Sequence, residues 1–141
     1  MRSLTKKRIF SATAQTAVAA AAEKAKAMGL AMCIAVMDES GDLKAFMRMD
    51  GAPRLSIEIA QNKAHTAVGF GIPTDQWYEF IKNDPPLLHG ITHTPRLIIF
   101  GGGYPIMEGK AVIGGIGISG GHYKQDMEVA AAALKAIGAS A

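Results

Sequence analysis

Cysteine is nearly absent from this chain, whose 141 residues include only Cys33. A disulfide framework is therefore excluded, and so is a zinc site built on cysteine pairs. The lone thiol lies in the apolar run AMCIAVM (31–37) and reads as a small buried hydrophobe. A chain without disulfides suits a reducing compartment, so the expected location is cytoplasmic. Long apolar runs are missing too. None approaches the roughly 18 residues of a membrane span, and no membrane partner is expected. Charge of one sign is scarce. The net charge is +3 and the one basic cluster is Lys6, Lys7 and Arg8. That is the size of a solvated helix start rather than a nucleic-acid-binding face. No Ser–His–Asp order, metal-ligand cluster or carboxylate pair marks a catalytic set.

What is present is apolar and small. Hydrophobic residues make up 49% of the chain and 16 residues are glycine, enough for one closely packed domain over 1–141. The Ala-rich N-terminus resembles an export signal. Ser11, Thr13, Gln15 and Thr16 interrupt it, and it runs directly into Glu23, Lys24 and Lys26. It reads as a helix of the mature fold over 4–28, stopped by Gly29. Its small side chains suit close packing against a sheet or against another subunit.

Residues 31–38 read as a strand, 39–42 as a turn and 43–49 as a second strand. In that second strand Leu43, Ala45, Met47 and Met49 face one way, and Lys44, Phe46 and Arg48 the other. A helix with Pro53 in its first turn follows and runs to about Val68, with Leu55, Ile59, Lys63, Thr66 and Phe70 along one stripe. A shorter helix starts at Thr74. PPLLHGITHTP (85–95) reads as a loop, RLIIF (96–100) as a strand and GGGY as a turn. PIMEGKAVIGGIGISGG reads as a hairpin turning at Glu108–Gly109. A last helix spans about 122–137. Antiparallel hairpins with helices packed on them make an α+β fold.

Gly115, Gly117 and Gly120 fit the pattern G-x-G-x-x-G. A dinucleotide site needs that motif after a first strand, with a second parallel strand and an acidic residue about 20 positions on. Here it lies on the last strand, and one helix and a tail remain. A Rossmann site is excluded. Ser119, Gly120 and Gly121 still stand at a helix N-terminus, where backbone N–H groups suit a carboxylate or phosphate. The alternative is that Ser119 caps the helix and the glycines serve packing.

Three segments, IAVMDESGDLKAFMRMDGA (34–52), AQNKAHTA (60–67) and GGGYPIMEGKAVIGGIGISGGHYKQDMEVAAAAL (101–134), resemble the GlcG/HbpS family. That family includes the C-terminal domain of PduO-type proteins and small proteins of glycerol-fermentation gene clusters. The resemblance implies a profilin-like, three-layer α/β/α fold with a five-stranded antiparallel sheet of order 2-1-5-4-3. It implies a homo-oligomer and a small-molecule ligand, with haem or a corrinoid bound in some members. Its boxes fall on Arg48, Met49, Asp50 and Gly51, on Lys63 and Thr66, and on Ser119, Gly120 and Asp126.

These residues have ordinary readings beside functional ones. Asp50 caps the second helix while Arg48 pairs with it or with an anion. Lys63 either snorkels to solvent or points its ammonium into a pocket. Asp126 suits the dipole of the last helix. If haem binds, Arg48, Lys63 and the turn 119–121 would meet its propionates, and the iron would need a nitrogen or soft ligand. His65, beside Lys63 and Thr66, is the first candidate, with methionine and His122 as rivals. His89 and His93 pair only if their loop is helical. The expected function is ligand binding in an accessory role near glycerol, diol or glycolate metabolism. The alternative is an enzyme acting on a small hydroxy or keto compound through Lys63, Asp50 or a histidine.

Overall fold

The computed structural model describes residues 1–141. Its elements are α1 (Ser11–Ala27), β1 (Cys33–Asp38), β2 (Leu43–Arg48), α2 (Ser56–Phe70), a 3₁₀ turn (Thr74–Gln76), α3 (Trp77–Ile81), α4 (Pro85–Gly90), a 3₁₀ turn (Ile91–His93), β3 (Gly103–Glu108), β4 (Ala111–Ser119) and α5 (Tyr123–Ala136). The sheet is antiparallel throughout, in the order β2-β1-β4-β3.

The sheet has four strands, not five. RLIIF (96–100) forms no ladder. Its backbone is bonded instead to the Thr66 side chain: Thr66 Oγ1 accepts from Ile98 N at 3.0 Å, and its one hydrogen is shared between Arg96 O at 3.0 Å and Asn62 O at 2.8 Å. Arg96 also sits in the left-handed region, at φ 67°. Removing that edge strand from the expected order leaves the order observed.

Strand alternation sends Ile34, Val36, Ile116 and Ile118 to one face, where they pack with Ala14, Ala17, Ala21 and Ala25 of α1 and with Val129, Ala133 and Leu134 of α5. Ala14, Ala17, Ala21 and Ala25 of α1 are thus buried inside the chain, against the sheet and α5, while Ala12, Ala19 and Ala27 on the other side of the helix stay exposed. Cys33, Ala35 and Met37 face the other way, toward Ala60 and Ala64 of α2, and Phe46 packs with them. Cys33 is fully buried, as its apolar setting predicts. Helices therefore lie on both faces of the sheet.

The glycines of β4 explain how close α2 lies. A Cβ at Gly117 would stand 1.9 Å from Ala60 O, and one at Gly115 2.9 Å from Ala64 O. The helix backbone rests directly on bare strand. Its buried face is accordingly Ser56, Ala60, Lys63, Ala64, Thr66 and Ala67, while Leu55 and Phe70 of the expected stripe are exposed.

Helix starts differ from the sequence reading. Helix α1 begins at Ser11, not at residue 4, because the preceding segment is anchored in extended form. Arg8 donates to Glu39 at 2.7 Å, the Ile9 N–H donates to Ile113 O at 3.0 Å, and the Ile9 side chain enters the core. Helix α2 begins at Ser56, after a turn through Pro53. The expected loop at 85–95 contains α4, opened by Pro85 and capped by Asp84 Oδ1 accepting from Leu87 N.

Candidate functional site

Helix α2 carries Lys63 onto the sheet at a point where the alanines and glycines around it leave no route to water. Its side chain is fully buried, so it does not snorkel. The ammonium donates to Asp126 Oδ2 at 2.7 Å and to Ile118 O at 2.8 Å, and lies 5.1 Å from the centre of the Phe100 ring. Asp126 is also buried, and its Oδ1 accepts from Gly121 N at 3.0 Å. One ion pair therefore joins α2, the end of β4, the turn at 120–121 and the first turn of α5. Gly102 closes over it, since a Cβ there would lie 2.6 Å from Lys63 Nζ. Burial pushes the Lys63 amine down and the Asp126 carboxyl up, and each partner's charge opposes that displacement in the other. With its ammonium held by Asp126, Ile118 O and the Phe100 face, Lys63 is committed to the fold rather than offered to a carbonyl substrate.

The turn at 119–121 is capped from within. Gly121 N–H is taken by Asp126, His122 N–H by Gln125 Oε1 at 3.0 Å, and Lys124 N–H by His122 Nδ1 at 3.2 Å. The capping residue is His122, in a reciprocal box with Gln125, and not Ser119. Ser119 Oγ donates instead to Ser56 Oγ at 3.2 Å, tying the end of β4 to the start of α2. The N–H donors expected to receive an anion are thus largely spent, and a carboxylate stands among them.

Above this latch lies an open cleft of about 370 Å³. Ser119, Gly120, Gly121, His122 and Asp126 form its polar side, and Pro53, Ile59, Phe100 and Tyr123 its apolar one. A second cleft of about 450 Å³ shares Phe100 and Tyr123 as walls, and is completed by Asp75, Tyr78, Glu79, Ile99 and Gly101. Both volumes lie in the range of small-molecule sites.

The sequence-predicted residues divide between this region and others. Lys63, Ser119, Gly120, Gly121 and Asp126 come together. Arg48 is in register with Cys33, and Cys33 with Ser119, so Arg48 lies on the same sheet face, two strands or about 10 Å away. Arg48 and Asp50 are exposed and belong to none of the chain's ion pairs; α2 has no side-chain cap, so Asp50 does not cap it. Thr66 holds the 96–98 segment, as above.

His65 is not brought to the cleft. Its ring lies against Gly41 in the β1–β2 turn, where a Cβ would stand 3.3 Å from Nδ1. That turn follows Asp38, whereas Ser119 pairs with Cys33. The two ends are five residues of β1 apart, about 16 Å. Burial and the nearby Arg96 charge depress the His65 pKa, favouring the neutral ring. His89 and His93 are exposed on α4 and the following 3₁₀ turn. His122 is the histidine at the cleft.

Phe100, Tyr123, Tyr78 and Asp75 were not legible as site residues. The one signal was the placement of Phe100 immediately before three glycines, where a large apolar side chain has little strand to pack into.

Comparison with known proteins bears on what this surface serves. The chain is 34% identical over 119 residues to the corrinoid adenosyltransferase PduO of Salmonella typhimurium, covering 84% of this chain and 35% of that protein. It thus spans about a third of that relative's length. Its fold matches the Klebsiella pneumoniae protein ORFY with a TM-score of 0.92 at 34% identity, covering 100% of this chain and 98% of the other. It also matches a PduOC–haem complex with a TM-score of 0.85 at 31% identity, covering 92% of this chain and 94% of that one. No helix is long and apolar enough to cross a membrane. Residues 9–135 match the family described as haem degrading protein HbpS-like, and the chain belongs to that family.

Proposed function

We propose that this protein binds haem as a subunit of a homo-oligomer, with the cleft beside Phe100 and Tyr123 as the seat of the tetrapyrrole. The observation that carries this reading is the cleft itself: half-exposed aromatic rings and two aliphatic walls, above a buried latch, in a chain sharing its fold with a haem-bound relative. The strand order and the helices on both faces support reading the fold as profilin-like. Leu55, Phe70 and Phe80 lie exposed on the surface and support assembly with further copies.

The residues present fit the group. Phe100, Pro53, Ile59 and Tyr123 would lie against the macrocycle, and Arg48 is an unpaired cation on the same face for a propionate. Two donors line the cleft. His122 Nδ1 accepts from Lys124 N–H, so the neutral ring carries its hydrogen on Nε2. Giving Nε2 to iron would move that hydrogen and break the cap. The Tyr123 phenol has no such conflict, and phenolate is an established haem ligand type. Bound haem would supply an iron centre for ligation or electron transfer.

Titration of haemin into the purified protein, followed in the Soret region, tests this. A saturable band is expected. It should shift in Tyr123→Phe or His122→Ala and stay unchanged in His65→Ala. Absence of a saturable band removes haem from the reading, and loss of binding in His65→Ala moves the site to the far end of the sheet.

A further inference from the structure

The second cleft has a chemistry of its own. Asp75, in the 3₁₀ turn before α3, lines it with a half-buried carboxylate: Oδ1 is buried and meets no donor, which leaves Oδ2 as the oxygen offered to the cleft. The turn cannot easily swing away. Thr74, next in sequence, is fully buried and its Oγ1 accepts from Gly103 N at 2.9 Å. Gly101 presses on Asp75 itself, since a Cβ there would lie 3.3 Å from Asp75 Cβ. An unmet buried acceptor is rare in folded proteins and costly when charged. The same cleft is lined by three aromatic rings, Tyr78, Phe100 and Tyr123, each about half exposed. The other charged residue lining the cleft is Glu79, which pairs outward with Lys82; no Lys, Arg or His lines it.

An acid that no side chain meets, in a cleft lined by aromatic rings and by no basic residue, disfavours anions and favours an organic cation. The ring faces attract the positive charge. The carboxylate calls for an N–H donor, which a protonated primary or secondary amine carries and a quaternary ammonium lacks. We propose that the cleft between α3, the 99–101 segment and Tyr123 is a binding site for a small organic ammonium ion, held by Asp75 and by the Tyr78, Phe100 and Tyr123 rings. This site shares the Phe100 and Tyr123 walls with the proposed haem seat, but its argument does not rest on haem binding.

The test is calorimetric and NMR titration of the full chain with benzylammonium, benzyl alcohol and benzoate at neutral pH. Benzylammonium should bind saturably, with benzyl alcohol and benzoate weaker by about ten-fold or more. Asp75→Asn, of the same shape, should weaken benzylammonium by about ten-fold and leave benzyl alcohol unchanged. Tyr78→Ala should weaken benzylammonium by about three-fold and leave the haem titration as in wild type, since Tyr78 lines this cleft and not the one above the latch. Equal affinity for the alcohol, an unchanged affinity in Asp75→Asn, or no saturable signal at millimolar benzylammonium would each overturn the proposal. The Soret titration is read independently, so either reading can fail alone.

Discussion

Asp126→Asn keeps the shape of the latch and removes its charge. In the wild type, Lys63 and Asp126 side chains are 0% and 3% exposed and 2.7 Å apart, so solvent screens the pair very little. The variant leaves an ammonium enclosed by Ile118 O, the Phe100 ring and a neutral amide. Removing one partner of a buried pair costs about 3–5 kcal/mol. For a chain of this length each kcal/mol moves Tm by about 3–4 °C, so a fall of about 10–20 °C is expected. The double variant Lys63→Met, Asp126→Leu removes both charges together. It should recover most of the loss, because the desolvation of two ions offsets much of their attraction. Thermal and urea unfolding at fixed protomer concentration measure all three, since assembly would otherwise shift the midpoint. An Asp126→Asn variant within about 1 kcal/mol of wild type, or a double variant no more stable than the single, would show that the pair does not hold the fold in this way.

The same pair makes a pH statement. In Lys63→Met the cation that opposes the upward displacement of the Asp126 carboxyl is gone. The folded state then binds that proton more tightly than the unfolded chain. The variant's stability should rise as pH falls through the raised carboxyl value, and fall again as pH climbs past it.

Three other outcomes are expected. Gly117→Ala drives a Cβ to 1.9 Å from Ala60 O and should cost about 3 kcal/mol or more in urea unfolding, whereas Gly69→Ala, on exposed α2 surface with nothing within 4 Å, should stabilise by about 0.5–1 kcal/mol. Thr66→Val leaves Ile98 N and Arg96 O without the hydroxyl and should speed amide exchange at Ile98, with a stability loss of about 1–3 kcal/mol. The Arg8 hydrogen bond holds the Glu39 carboxyl down at about 2, so its contribution is complete above the unfolded carboxylate value and is lost as pH falls through about 2. Glu39→Gln should show the same loosening of residues 1–10 at neutral pH, read by amide exchange at Ile9.

Local chemistry was legible and distant partners were not. The two hairpins and the stop of α1 at Gly29 rest on neighbours within a few residues. The faces of β2 followed from alternation, and Ala45 and Phe46 do pack on opposite sides of the sheet. RLIIF has every local mark of a strand. What unmakes it is a hydroxyl on α2, 30 and 32 residues away, which shares its hydrogen with Arg96 O and accepts from Ile98 N. Lys63 was ambiguous for the same reason. Its partner is 63 residues on, and Asp126 by itself reads as a helix-dipole residue. The Ala-rich stretch of α1 suited either a sheet or a subunit, and it takes the position of the sheet and α5 to show which alanines are buried within the chain.

The lost strand and the candidate site have one cause. Had 96–100 paired with β3, Phe100 would be a rung of an edge strand and its ring would lie on a sheet face. Thr66 holds Arg96–Ile98 against α2, and the chain must then reach Gly103, which is pressed so close to α2 that a Cβ would stand 2.5 Å from Lys63 O. Ile99 to Gly102 span that gap as irregular backbone. Phe100 is carried over the Lys63 ammonium, near enough for its ring to attract the charge. It remains 42% exposed and walls both clefts. The same ring therefore covers a buried cation and faces solvent as a binding surface. A ligand stacking there meets a ring whose position is set by the latch below, so a change at Lys63 or Asp126 should reach the ligand through Phe100 even though Lys63 is closed to solvent.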